Sequence, residues 1–288
     1  MDGVILINKE KSFTSHDVVS IVKKITKSKV GHTGTLDPNA TGVLPLLLGE
    51  GTKISKYLIN HNKEYEAVIQ LGKKTTTADV EGDIVEEKDV PNNVYEKCEV
   101  VLKSFIGKQK QVPPIYSAIK VNGKKLYDYA RAGKSIEIAP RDIEIYDIDI
   151  IKVDQKNKQI SFRVRCSKGT YIRSLCEDIA VKLGTVGFMK ELKRTMVGDF
   201  RIENAVTIKE LQSKLNENDL SDIISIEEIF KDNKNIELSE NNIEKYLNGV
   251  KISVKYGDGI YKIYFNGEFN GIGIVSDGKL KRDIVLSK

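Results

Sequence analysis

The sequence predicts an α+β protein, one large domain of mixed strands and helices followed by a small β-rich tail. Three observations predict it. At 288 residues the chain is longer than a usual single domain, which favours a large unit with an appendage. Stretches of strand period and of helical period are interleaved through the first two thirds of the chain. From 235 onward the texture changes: Gly249, Gly257, Gly259, Gly267, Gly271, Gly273 and Gly278 separate short runs such as IYKIYF, as in a small β unit with tight turns.

Taken in order, GVILINK is a short apolar strand, and Ser15 is placed to cap a helix whose Val18, Val19, Val22 and Ile25 recur at helical spacing. From Gly31 to Pro45, GHTGTLDPNATGVLP packs glycines and prolines among very few charges. It fits neither periodicity, so its backbone must be specially shaped. A strand is expected at 65–72 (YEAVIQLG) and a helix near 94–106. From Ile160 to Cys166 the chain alternates strictly, with Ile160, Phe162, Val164 and Cys166 turned inward and Arg163 and Arg165 outward. Beyond Lys168-Gly169, the residues Ile172, Leu175, Cys176, Ile179, Ala180 and Leu183 share one helical face. A helix therefore begins near Thr170 and carries Arg173 in its first turn. The acidic stretch 202–234, free of glycine and proline, is expected to contain a helix such as 207–215 and to link to the tail.

Composition narrows the chemistry. Apolar residues make up 40% and charged residues 30%, the balance of an ordinary soluble protein. No stretch approaches the ~20 apolar residues of a membrane span, and MDGVILINKEK lacks the apolar run and cleavage site of a secretion signal. The expected location is the cytoplasm, away from the membrane. Cys98, Cys166 and Cys176 are odd in number and form no CxxC pair, so they read as reduced, mostly buried thiols. His16, His32 and His61 lack the i, i+4 spacing of a metal-binding helix face; neither a metal nor any other cofactor is expected.

Net charge is only +5, but its distribution is uneven. Residues 103–141 hold nine Lys/Arg against two acids, 161–201 nine against four, and 202–247 five against eleven. Phosphate binding follows local charge rather than the total, so the two basic blocks point to a polyanion partner.

The loop around Asp37 contains neither a GxxxxGK[ST] run nor a strand-linked GxGxxG, which sets nucleotide-phosphate motifs aside. An Asp before Pro is on its own an ordinary turn former. The whole string GHTGTLDPNATGVLPLLLGEGTK is more specific: it closely resembles the catalytic motif of the TruB family of tRNA pseudouridine-55 synthases. Further resemblances follow in the family's order: Lys63 to Tyr65, TTADVEG ending at Gly82, PPIYSAIKVNGKKLYDYAR at 113–131, CSKGTYIRSL at 166–175 and LKRTMVGDF at 192–200. They span almost the whole of residues 3–200.

The resemblance implies a pseudouridine synthase catalytic domain over 1–232 with a mixed, mainly antiparallel sheet and an RNA-gripping insertion at about 103–141. A PUA-like RNA-binding domain follows at 233–288. It also implies the isomerisation of uridine to pseudouridine at position 55 in the T-loop of tRNA, without a cofactor, by a monomer needing no protein partner. By motif, Asp37 is the essential carboxylate, Arg173 the arginine that pairs with it, and Tyr65 the tyrosine that stacks on the flipped base. Among substrate-binding positions, Tyr171 and Leu192 match pocket walls and His32 the histidine of GHTG. Lys9 occupies a Lys-Pro site in which Glu10 here replaces the proline, and Lys120, Lys124 and Lys125 fall in the basic insertion. A guide-RNA-dependent synthase and an RNA-folding factor without catalysis are the alternative readings.

Overall fold

The computed structural model describes residues 1–134 and 136–286; Ser135, inside the basic block, and the last two residues of the tail lie outside the described residues. Its centre is a nine-stranded sheet. Along the sheet run Gly3–Lys9, Thr41–Leu48, Gly187–Val197, Lys63–Leu71, Gln159–Cys166, Arg141–Asp154 and Gly107–Gln111. Val30–His32 pairs with Thr41–Leu48, and Phe200–Arg201 with Gly187–Val197. All these pairings are antiparallel except that of Gly187–Val197 with Thr41–Leu48. The sheet is thus mixed and mainly antiparallel.

Alternation in the sequence becomes a buried face in the structure. Ile160, Phe162, Val164 and Cys166 are fully buried beneath the helix Ile172–Lys182, whose Ile172, Leu175, Cys176 and Ile179 pack into the same cluster. Val94, Cys98 and Leu102 of the helix Val94–Lys103 complete that cluster. A separate core forms where Val18 and Val22 of the helix Ser15–Thr26 meet Ile5, Ile7, Leu44 and Leu46. All three cysteines are free and buried.

One reading of the sequence is corrected here. Thr14, not Ser15, is the N-cap: its hydroxyl accepts from Asp17 N at 3.0 Å while Asp17 accepts from Thr14 N at 2.8 Å, the reciprocal capping box. Ser15 is buried one position further on, where its hydroxyl donates to Leu36 O at 3.1 Å and accepts from Leu36 N at 2.8 Å. The acidic stretch contains the expected helix, at Ile208–Asn216, and packs onto the large domain. Leu211 of its helix Ile208–Asn216 enters the core around Ile5 and Ile7, and Ile224 bridges to Val4.

The tail carries a five-stranded sheet ordered Asn235–Glu237, Gly259–Phe265, Glu268–Ser276, Lys279–Val285 and Ile252–Ser253. Its own core gathers Ile236, Ile243, Tyr246, Ile263 and Leu280. It is also joined to the large sheet, because Ile272 and Ile284 pack with Val4, Leu6, Val43 and Phe230. Asp283 accepts from the Tyr57 hydroxyl and pairs with Lys56 at the same junction.

Candidate active site

The irregular segment between Val30–His32 and Thr41–Leu48 brings Asp37 to the floor of a cleft of about 860 Å³. Residues 41–45, expected to be irregular, are strand despite Pro45. Gly42 explains the glycine of the motif. Its φ is +108°, and a Cβ there would lie 2.1 Å from the carbonyl oxygen of Arg194, so only glycine lets the two strands meet.

Four groups hold the loop from behind. Ser15 fixes both backbone groups of Leu36, the buried neighbour of Asp37. The Pro38 carbonyl accepts from Ser12 N and from the Lys9 ammonium, each at 3.0 Å. On the far side, Arg194 donates to Gly34 O at 3.2 Å and to Val43 O at 2.8 Å.

Arg173 is the nearest cation to the Asp37 carboxylate. Its Nε lies 3.1 Å from Oδ2 and its Nη2 donates to Oδ1 at 3.4 Å, a two-point pairing that fixes the carboxylate plane. Arg173 stands in the first turn of its helix, which has no acid of its own there. A cation at a helix N-terminus is disfavoured by the dipole, and two outside anions compensate: Asp37 and Asp79, the latter 3.7 Å from Nη1. Carbonyls of Thr77 and Tyr116 take further donors at 3.2 and 3.0 Å. The Arg173 side chain is 7% exposed and that of Asp37 37%, so the arginine is sealed in while the carboxylate keeps one side open to the cleft. Burial pushes the Asp37 carboxyl above the usual carboxylate range; Arg173 opposes that push and Asp79 adds to it.

Of the residues singled out from the sequence, Asp37, Tyr65, Arg173, His32, Tyr171 and Leu192 all line this cleft. Tyr65 is 8% exposed, and burial pushes its phenol up to about 12 against the opposing charge of Arg194. Tyr171 is fixed by Gln111, whose side-chain amide donates to Tyr171 O at 3.0 Å and accepts from Tyr171 N at 2.8 Å. Lys9 does not join the cleft. It is fully buried, and its ammonium is spent on the carbonyls of Glu10, Phe13 and Pro38; burial pulls it down to about 8. It supports the loop through Pro38. Lys120, Lys124 and Lys125 sit on a small hairpin at the edge, where Lys125 donates to the hydroxyl of the cleft-lining Tyr127 at 2.8 Å.

Two residues went unnamed in the sequence reading. Asp79 lies within TTADVEG, and nothing but membership of that motif marks it. Arg194 had a clearer signal, an arginine two places after Leu192 on the inward side of a strand. Among the described residues no cluster of three or more His, Cys, Asp and Glu is arranged to hold a metal, and no helix is long and apolar enough to cross a membrane.

Comparison with known proteins identifies the chain's relatives. The model of the TruB family pseudouridylate synthase N-terminal domain matches residues 22–172, and that of the tRNA pseudouridylate synthase B C-terminal domain matches 173–231. The chain is 44% identical over 284 residues to tRNA pseudouridine synthase B of Alkaliphilus oremlandii, covering 96% of this chain and 93% of that protein. It is 43% identical over 285 residues to the protein of that name from Caldanaerobacter subterraneus, covering 98% of each. Among solved structures, a Cbf5-Nop10-Gar1 complex superposes with a TM-score of 0.68 at 27% identity, over 94% of this chain and 78% of that one.

The electrostatics yield a direct expectation. Asp79 adds to the upward push on Asp37, so Asp79→Asn should lower the pKa of Asp37. Carbon-13 NMR of aspartate-labelled protein should show the Asp37 carboxyl titrating above the ordinary ~3.9 in the wild type and at lower pH in Asp79→Asn. An unmoved titration would mean the two carboxylates do not share the arginine.

Proposed function

The chain belongs to the TruB family of pseudouridylate synthases, and we propose that it isomerises uridine to pseudouridine at position 55 in the T-loop of tRNA, Asp37 supplying the reactive carboxylate. The observation that carries this reading is the two-point pairing of Asp37 with a buried Arg173 at the floor of the cleft. Asp142 also lines the cleft, but its side chain is 88% exposed and pairs with Lys110 at the rim.

The reaction breaks the bond between ribose C1′ and base N1, turns the uracil, and joins C1′ to C5; the proton lost from C5 is matched by one gained at N1. Nothing is oxidised or hydrolysed, so side chains that bind, orient and move protons suffice. The uridine must leave its stack to reach a carboxylate this deep. Arg173 keeps the carboxylate ionised and aimed once the nucleotide displaces water. Tyr65 lies against the extruded base, with its hydroxyl available for proton exchange, while Tyr171 and Leu192 form dry walls and His32 fills space beside the nucleotide.

Binding is assigned to other parts of the chain. Residues 103–141 carry nine Lys/Arg against two acids and grip the stem-loop through phosphates. Residues 233–288 form a PUA-like domain that adds contacts beyond that arm. The protein acts in the cytoplasm as a monomer, with tRNA as its partner.

Replacing Asp37 with Asn should leave tRNA affinity within a few fold, because phosphate contacts lie elsewhere, and should lower the single-turnover rate by about 10⁴-fold or more. Substantial activity in this variant rules the assignment out. Replacing Lys120, Lys124 and Lys125 together with Ala should weaken binding and reduce the slope of log K against log salt by up to ~0.7 for each phosphate no longer neutralised. A slope equal to that of the wild type would place the RNA on another surface.

A further inference from the structure

The strand Gly187–Val197 runs between Thr41–Leu48 and Lys63–Leu71, and its Arg194 stands opposite Gly42 on one side and Tyr65 on the other. The arginine is 1% exposed and is the largest fully buried side chain of the described residues. Its guanidinium donates from Nε to Val43 O at 2.8 Å, from Nη2 to Gly34 O at 3.2 Å and from Nη1 to Thr35 O at 3.4 Å. Gly34 and Thr35 stand three and two residues before Asp37. Among the described residues no carboxylate pairs with this arginine; its cross-strand neighbour is Tyr65, on the same face of the sheet.

A buried guanidinium without a carboxylate is an expensive way to fill space, and well-packed apolar side chains usually do so as stably or better. Stability alone therefore gives little reason for an arginine here. Its geometry gives a better one, since a planar fork can fix several acceptors at once. Tyr65, directly across the strand pair from Arg194, lines the same cleft.

We propose that Arg194 is a positioning residue for the isomerisation, a buried fork that holds the Asp37 loop in a fixed relation to the cross-strand Tyr65. The proposal rests on the reading of Asp37 and Tyr65 given above. Arg194 also borders the cleft, but its guanidinium is engaged by three backbone carbonyls, so its loss should appear in the rate of the chemical step rather than in affinity.

The test compares full-length wild type, Arg194→Lys, Tyr65→Phe, Arg194→Lys/Tyr65→Phe and Asp37→Asn for single-turnover rate on unmodified tRNA, tRNA affinity and thermal midpoint. Arg194→Lys keeps a charge but loses the fork, and small misplacement of reacting groups costs on the order of 100-fold in rate. A drop of about that size is expected, with affinity within about threefold of wild type. Because part of the effect runs through Tyr65, the double variant should lose about tenfold less than the product of the single losses. The proposal is overturned if folded Arg194→Lys retains nearly the wild-type rate, if its loss lies in binding, or if the single losses multiply in full. Should Arg194→Lys not fold, Arg194→Gln takes its place under the same criteria; if neither reaches the native state, Arg194 is a core residue only and the proposal fails. Full activity in Asp37→Asn would defeat the underlying reading. Activity abolished in Asp37→Asn but kept in Arg194→Lys defeats the positioning role alone.

Discussion

The ion pair between Arg173 and Asp37 is the interaction on which the rest of the site depends. At the cleft the Asp37 carboxylate loses part of its hydration, and burial alone drives it toward the neutral acid. Only a fixed cation resists that drift. Arg173 is fixed on every side, by Asp37 and Asp79, by the carbonyls of Thr77 and Tyr116, and by a helix whose apolar face is locked onto the sheet. The arginine in turn needs both acids, because it stands where the helix dipole repels it and is almost wholly out of water. Each partner is stable in this setting because the other is present.

The carboxylate's half of that pair requires an irregular backbone held as firmly as a strand. Lys9, Ser12 and Ser15 hold residues 36–38 from the first strand and the chain that follows it, while Arg194 holds residues 34–35 from the middle of the sheet. Two of these are cations buried against backbone carbonyls. The loop thus exposes one carboxylate edge to the cleft while its main chain is satisfied from within. Gly42 belongs to the same design, since any side chain there would push the loop's exit strand off the strand that carries Arg194.

Much of this was legible in the sequence where a periodic pattern or a motif spoke for a residue. Strict alternation marked the strand Gln159–Cys166 and its inward face, and helical spacing marked Ile172–Lys182 within two residues. The Asp37 string and the segment around Arg173 are separated by more than a hundred residues, and only the motif suggested that they meet. What stayed hidden depends on tertiary contact. Ser15 and Thr14 are equally good caps by residue type, and the choice of Thr14 frees the Ser15 hydroxyl to bind Leu36. Lys9 was read as a substrate-binding position from its place in a motif, and nothing in the sequence showed that the carbonyls of Glu10, Phe13 and Pro38 would surround its ammonium. Asp79 stands in an ordinary-looking turn, and its value appears only when Arg173, on the helix after the strand paired with Lys63–Leu71, comes within 3.7 Å of it. The acidic stretch was read as helix-bearing, and the helix Ile208–Asn216 forms, but that Leu211, Ile226 and Phe230 would join two separate cores could not be read from it.

The central claim is that these residues, unaided by guide RNA or any added cofactor, convert one particular uridine of tRNA. Incubating the purified protein with an unmodified tRNA transcript, then mapping pseudouridine by chemical adduct formation and primer extension, tests it most directly. The account predicts one strong stop, at the position of uridine 55 in the T-loop. No stop, a stop at a different uridine, or a stop that appears only when a second RNA is supplied would contradict it.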